Sequence, residues 1–227
     1  MEKSFYEILA PTRRSYAPAL KRIADGTPTR SDQYPGARSN SLADQLNVVA
    51  RLIAGGSKTR VYAVTLGGFD SHAEQNSGKA GCAPHGRLLG ELSTAISAFQ
   101  DDLALFGIED RVIGMTFSEF GRSVRENRAR GTDDGGAGPL FVFGSNVRPG
   151  LLGSNPLIDG KVPARTGVAM QFDLRSVYAS VLSEWCLVPD SALRTIIPGD
   201  VKLLPIIRDA ATRSTPTLGT NSGDALR

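Results

Sequence analysis

Between Val61 and Arg122 the sequence holds three segments with clear secondary-structure patterns: VYAVTLGGFDSH (61–72), HGRLLGELSTAISAFQDDLALF (85–106) and RVIGMTFSEFGR (111–122). The first begins with a short, β-branched apolar run at 61–66 that predicts a buried strand. The second carries apolar residues at helical spacing and predicts a long amphipathic helix. The third begins with another apolar run, at 111–117, that predicts a second strand. A strand, a helix of this length and a strand favour a right-handed crossover in a parallel sheet.

The flanking sequence adds helices and one more strand. Residues 2–24 have helical spacing interrupted by prolines, and the pattern Ser41-Leu-Ala-Asp44 predicts a capping box that starts a helix ending at Gly55-Gly56. Residues 123–138 predict a charged, Gly-rich loop, residues 139–143 a third strand, and Asp173 the cap of a helix through Leu187. The predicted organisation is a helical and loop segment at 1–40, an α/β domain at 41–209 and a flexible tail at 210–227.

Composition narrows the function classes. The chain has 227 residues, a formal charge of +3 and two cysteines, which exclude a disulfide-rich scaffold. No apolar run reaches the ~18 residues that a membrane span needs. The basic excess is scattered, which argues against a nucleic-acid partner, and no Gly-x-Gly-x-x-Gly or P-loop pattern indicates a nucleotide cofactor. The pair Arg13-Arg14 is followed by a short polar stretch, so the sequence predicts no export signal here.

Chemistry-bearing side chains follow the two predicted strands of the crossover. Asp70 and His72 come directly after the first strand and Glu119 after the second, and ligands in open α/β sheets gather at the carboxyl ends of strands. His85 begins the long helix. A carboxylate and two imidazoles suit zinc or manganese. The alternatives are that His72 is an ordinary loop histidine, that His85 is a capping residue, and that Glu119 pairs with a nearby arginine.

The loop after the second strand offers two further groups. Adjacent Asp133 and Asp134 could present hard oxygen ligands to magnesium or calcium, with no more than one of them facing a site. Arg122 opens a basic run suited to a phosphate or sulfate ester. The competing interpretations are a solvated turn and a solvated helix face. Cys82, three residues before His85, is a weaker candidate as a thiolate, or as a disulfide partner of Cys186, which the pattern places in the core of the last helix.

The sequence also resembles a known family. The run at 61–122, then GTDDGGAGPLFVFG (131–144), Tyr34-Pro35-Gly36 and FDLRSVYASVLSEW (172–185), resembles the bacterial exported family called domain of unknown function 1501 over roughly residues 34–187. That family belongs to the alkaline-phosphatase-like superfamily of phosphatases, sulfatases and phosphoglycerate mutases. The resemblance implies a three-layer α/β sandwich with a mostly parallel sheet, a divalent-metal site (Zn, Mn, Mg or Ca) and, for the family, a periplasmic location reached by a twin-arginine signal.

Carried over by position, the resemblance assigns metal-ligand roles to Asp70, His72, His85 and Glu119. Asp134 stands where the family shows a histidine in Gly-Thr-Asp-His-Gly, so an imidazole ligand is replaced by a carboxylate or lost. Arg122 is assigned the contact to the anion. Nothing in residues 1–33 resembles the family's first half, which holds the nucleophile, so the chain is expected to be N-terminally truncated and its own nucleophile is unassigned.

Two functions are therefore in competition. The first is a divergent metal-dependent hydrolase of small phosphate or sulfate esters. The second is a non-catalytic or truncated member that acts as a binding or assembly component, through self-association or a missing amino-terminal segment.

Overall fold

The computed structural model describes residues 5–78, 83–158, 162–163 and 166–209, with side chains from residue 16 onward. The chain divides into two compact units. The first comprises Met1–Glu109 and Arg125–Asp133, and the second comprises Asp110–Val124 and Asp134–Arg227. Cys82 and the predicted tail at 210–227 lie outside the described residues.

Three helices build the first unit: α1 (Phe5–Gly26), α2 (Ser41–Ala54) and α3 (Pro84–Phe106). Helix α1 continues through the prolines that the sequence predicted as interruptions. Helices α2 and α3 pack against each other through their apolar faces, as their spacing predicts. The buried residues on these faces are Leu42, Ala43, Leu46, Val49, Ala50 and Leu52 on α2, and Leu88, Ala95, Ala98, Phe99 and Leu103 on α3.

The cap of α2 differs from the predicted one. Asn40, not Ser41, is the N-cap, and its side-chain oxygen accepts from the backbone N–H groups of Leu42 and Ala43, each at 3.1 Å. The Asn40 amide also donates to the carbonyl of Glu91 on α3 at 2.7 Å. Because Asn40 is buried, its side-chain oxygen and nitrogen both need hydrogen-bond partners. The cap of α2 satisfies the oxygen, and the bond to α3 satisfies the nitrogen.

A buried carboxylate joins the loop before α2 to α3. Asp102 is fully buried, and its Oδ1 accepts from the backbone N–H groups of Arg30 at 2.8 Å and Ser31 at 3.0 Å. The neighbouring Asp101 accepts from the Ser31 hydroxyl at 2.6 Å. The Asp102 side chain therefore fixes the path of a loop that no apolar contact alone would specify.

The Asp102 carboxylate affects the ionisation of the Tyr34 hydroxyl. Burial raises the pKa of the Tyr34 hydroxyl, and the negative charge of Asp102 raises it further. An unfolded tyrosine titrates near pH 10, so below about pH 10 the hydroxyl keeps its proton in both states. As pH rises above that value the unfolded state loses the proton first, and the Tyr34 contribution to stability falls.

We expect Tyr34→Phe to reduce this alkaline loss. The difference in unfolding free energy between wild type and Tyr34→Phe should be constant from pH 7 to 9 and move in favour of the variant above about pH 10. Urea unfolding at each pH measures it. Tyr16→Phe, at an exposed tyrosine, is the control and should follow the wild-type profile. A difference independent of pH would contradict the assignment.

The first predicted strand, 61–66, forms no strand in the structure. The exposure of side chains alternates along 61–66, and Val61 is 83% exposed. Among the described residues, the only backbone hydrogen bonds of this segment involve Thr65. There the Gln45 side chain from α2 donates to the Thr65 carbonyl at 2.9 Å and accepts from its N–H at 3.0 Å. The strand-like sequence pattern is present, but no described segment forms a strand beside it.

The strands that do form are short. Strands β1 (Gly114–Met115) and β4 (Val142–Phe143) pair antiparallel, with Gly114 opposite Phe143. Strands β2 (Gly121–Glu126) and β3 (Thr132–Gly135) form a second two-stranded sheet, across residues predicted as loop. The buried positions of β2 are Gly121 and Ser123. Both are small residues, so a prediction based on large apolar side chains does not detect this strand. The three-layer parallel sandwich stays a prediction, because nothing in the described chain bears on it.

The second unit also holds α4 (Leu174–Ser180), a π-helical turn (Val181–Trp185) and α5 (Asp190–Ile196). Asp173 caps α4 as predicted, accepting from the Arg175 N–H at 2.8 Å. The predicted core position of Cys186 is wrong, because Cys186 is exposed. It lies just after the π-helical turn, where the chain turns toward Val188. One core cluster of this unit is formed by Val177, Leu204, Ile206 and Ile207. Within the described ranges, no helix has the length and apolarity to cross a bilayer.

Candidate metal centre

Asp70 and His72 lie together in the first unit, in the loop after 61–66. Asp70 Oδ1 is 2.8 Å from His72 Nε2. The Asp70 and His72 side chains are 60% and 48% exposed, so the pair lies at the protein surface. Ser71 points elsewhere, with its N–H donating to the Phe69 carbonyl at 2.9 Å. The two predicted ligands therefore lie side by side, and their metal role stays a prediction.

The loop that carries His72 is held along the turn between β2 and β3. Ala73 forms an antiparallel bridge with Arg130, and the backbone N–H groups of Glu74 and Gln75 donate to the carbonyls of Ala129 and Arg130, each at 2.9 Å. The Gln75 side chain is buried and accepts from the Thr132 hydroxyl at 3.0 Å. These bonds attach the backbone that follows His72 to the turn between β2 and β3.

An exposed ion pair reinforces the same contact. Arg130 Nε is 3.0 Å from Glu74 Oε1, and the Arg130 Nη2 contacts the same oxygen. The guanidinium lowers the pKa of the Glu74 carboxyl, chiefly through this hydrogen bond. Because both side chains are solvated, the pair contributes orientation more than stability.

Asn127 is the centre of the turn. Its amide nitrogen donates to the His72 carbonyl at 2.9 Å and to Asp133 Oδ1 at 3.0 Å. Its amide oxygen accepts from the N–H groups of Ala129 at 2.9 Å and Gly131 at 3.1 Å. Four bonds fix this side chain, and through it the His72 backbone and the Asp133 carboxylate.

Asp133 approaches the other edge of the His72 ring, with its Oδ1 3.9 Å from Nδ1. The sequence presented Asp133 as one of two adjacent carboxylates, only one of which would face a site. It did not indicate Asn127, which lies in a run of charged residues typical of a solvated face. Gly131 is the remaining contributor: it is buried against the His72 backbone, and a Cβ there would lie 2.2 Å from the His72 carbonyl carbon.

His85 starts α3 as predicted. Its backbone N–H donates to the Gln75 carbonyl at 3.2 Å, and its ring stands edge-on to Phe69, with centroids 6.1 Å apart. Its Nδ1 is buried and finds no hydrogen-bond partner within the described chain. A buried nitrogen without a partner is uncommon, but the ligand role of His85 stays a prediction.

Three other predicted site residues lie in the second unit. The Arg122 guanidinium is 3.1 Å from Asp134 Oδ1 and 5.7 Å from the Phe120 ring centroid. Glu119 is exposed at the turn between β1 and β2. The metal roles of Asp134 and Glu119 and the anion role of Arg122 stay predictions.

The donor set around His72 fits a borderline divalent metal. An imidazole nitrogen and a carboxylate oxygen are both ligands of zinc and manganese, and each must be deprotonated to bind. The 2.8 Å between Asp70 and His72 is somewhat shorter than the separation of two tetrahedral ligands that share one ion, about 3.4 Å for bonds of ~2.1 Å. The two groups therefore need little movement to share an ion.

The fold and this loop define a mixed α and β protein with an exposed histidine–carboxylate pair held on a β-turn. Residues 10–185 match the model of a family described as protein of unknown function (DUF1501), and the chain belongs to that family. No curated protein and no solved structure matches the chain.

Proposed function

We propose that this chain binds a divalent metal ion through Asp70 and His72 and acts as a metal-dependent hydrolase of phosphate or sulfate esters. The observation that carries the proposal is the 2.8 Å approach of the Asp70 carboxylate to His72 Nε2 on a loop with a fixed backbone. A bound ion would polarise the ester and lower the pKa of water. Asp70 and His72 hold the ion at the protein surface, where an anionic ester has access.

The experiment follows turnover of 4-nitrophenyl phosphate and 4-nitrophenyl sulfate with Zn²⁺ or Mn²⁺. Turnover is expected with wild type and should fall at least about 100-fold in Asp70→Ala and His72→Ala, because each removes one of few protein ligands. Asp32→Ala removes an exposed aspartate elsewhere in the same unit and should not change the rate. Equal turnover in His72→Ala and wild type would reject the hydrolase.

A second function is supported by a different observation. The segment 61–66 has the alternating exposure of a strand, and among described residues only Thr65 has backbone hydrogen bonds. A strand-like segment without a neighbouring strand among the described residues can act as a template for pairing with another strand. This supports the alternative of a binding or assembly component that associates through 61–66. Association without metal-dependent turnover would favour this function over the hydrolase.

A further inference from the structure

We propose that Asp133 is a positioning residue that orients His72 for the metal from the far side of the imidazole ring, and that Asn127 holds Asp133 in place. The inference rests on the proposed metal function of Asp70 and His72. It assigns the two carboxylates near His72 different roles: Asp70 is a ligand of the ion, and Asp133 acts only through the histidine.

The two nitrogens of His72 face different carboxylates. Nε2 is 2.8 Å from Asp70 Oδ1, whereas Nδ1 is 3.9 Å from Asp133 Oδ1. The nitrogens point away from each other in the ring plane, so one ion does not bind both. A ligating histidine typically donates its second N–H to a carboxylate, which fixes the tautomer and the ring orientation. Around His72, one carboxylate lies at Nε2 and a second carboxylate lies near Nδ1.

Exposure decides which edge takes the ion. The Asp70 side chain is 60% exposed and the Asp133 side chain 31%. An ion and an ester reach the Nε2 edge beside Asp70 more readily than the partly buried Nδ1 edge. With an ion bound, Nε2 is therefore the ligating nitrogen, and Nδ1 then carries the proton and faces Asp133.

Asn127 ties the histidine and the carboxylate to one point. Its amide nitrogen donates to the His72 carbonyl and to Asp133 Oδ1, the same oxygen that faces Nδ1. Its own orientation is fixed by bonds from Ala129 and Gly131 to its oxygen. The 3.9 Å between Nδ1 and Asp133 exceeds a hydrogen bond. The half-exposed ring must therefore move toward Asp133 when the ion binds, and Asn127 holds the carboxylate in place for that contact.

The test is a Co²⁺ titration of the full chain, read by visible absorption, because the cobalt spectrum reports its direct ligands. Asp133→Ala and Asn127→Ala should each bind Co²⁺ about 10-fold more weakly than wild type, with the spectrum of the bound ion unchanged. Asp133→Asn keeps an oxygen that accepts from Nδ1 and should recover most of the affinity. Asp70→Ala should change the spectrum itself. Asn76→Ala, at an exposed asparagine in the same loop, is the matched control and should bind as wild type does.

A double-variant cycle separates positioning from general damage. If Asn127 acts through Asp133, adding Asn127→Ala to Asp133→Ala should weaken binding by no more than about threefold, whereas independent effects would multiply. Full multiplication would overturn the role of Asn127. An altered spectrum in Asp133→Ala would make Asp133 a ligand, and unchanged affinity would remove it from the site; both overturn the inference and leave the metal function standing. A wild-type chain that takes up no Co²⁺ overturns both.

Discussion

Gly131→Ala is expected to weaken Zn²⁺ or Mn²⁺ binding by about 10- to 100-fold. A Cβ at this position would lie 2.2 Å from the His72 carbonyl carbon, 2.3 Å from its oxygen and 2.5 Å from the Ala73 nitrogen. All three are backbone atoms, so the strain cannot be relieved by a side-chain rotation. Overpacking of this kind costs about 1–3 kcal/mol, and each 1.4 kcal/mol is about tenfold in binding if the loop moves to avoid the methyl group.

Isothermal titration calorimetry on wild type and Gly131→Ala measures this effect. Gly136→Ala is the matched control, because a Cβ at Gly136 meets no described atom within 4 Å. It should bind metal as wild type does. Thermal unfolding without metal, run on all three chains, shows that the variants are folded. Equal affinities in a folded Gly131→Ala chain would show that the close contact with His72 does not set the site.

Asp102→Ala is expected to destabilise the first unit by about 3 kcal/mol. The substitution leaves the buried N–H group of Ser31 and the part-buried N–H group of Arg30 without their acceptor and opens a space beneath the loop. Each buried donor left without a partner costs about 1–3 kcal/mol, and the loss of a carboxylate from the interior offsets part of the sum. The free energy of unfolding in urea is the measurement.

Two controls sharpen the Asp102 result. Asp102→Asn keeps an oxygen that accepts from both N–H groups, so it should cost much less than Asp102→Ala. Asp101→Ala removes a neighbouring, less buried carboxylate that accepts only the Ser31 hydroxyl, and should cost about 1 kcal/mol. If Asp102→Asn were as unstable as Asp102→Ala, the charge rather than the two hydrogen bonds would fix the loop.

Local sequence pattern predicted the helices better than the strands. The apolar spacing of 85–106 and the glycine that follows specify α3 without reference to the rest of the chain, and Gly107 does adopt a left-handed conformation, with φ 69°. A strand needs a partner that its own residues do not encode. The run 61–66 has the expected pattern and no described strand beside it, whereas β2 forms with glycine and serine at its buried positions.

The candidate metal site shows the same difference between local patterns and contacts distant in sequence. Asp70 and His72 are two residues apart, so the sequence alone could bring them together. Asn127 bonds a carbonyl 55 residues away, a contact that no local pattern contains. Gly131 appeared only as a glycine of a charged, Gly-rich loop and of the family motif at 131–144, because its contact with the His72 backbone exists only in the folded chain. The sequence therefore predicted the candidate ligands and missed the residues that hold them.

Metal binding through Asp70 and His72 is tested by the metal content of the purified chain. Wild type and His72→Ala are equilibrated with Zn²⁺ or Mn²⁺, freed of excess ions and measured by elemental mass spectrometry. The account predicts near-stoichiometric metal in wild type and little in His72→Ala, because His72 supplies the imidazole ligand beside Asp70. Wild type without metal, or equal metal in both chains, would contradict it.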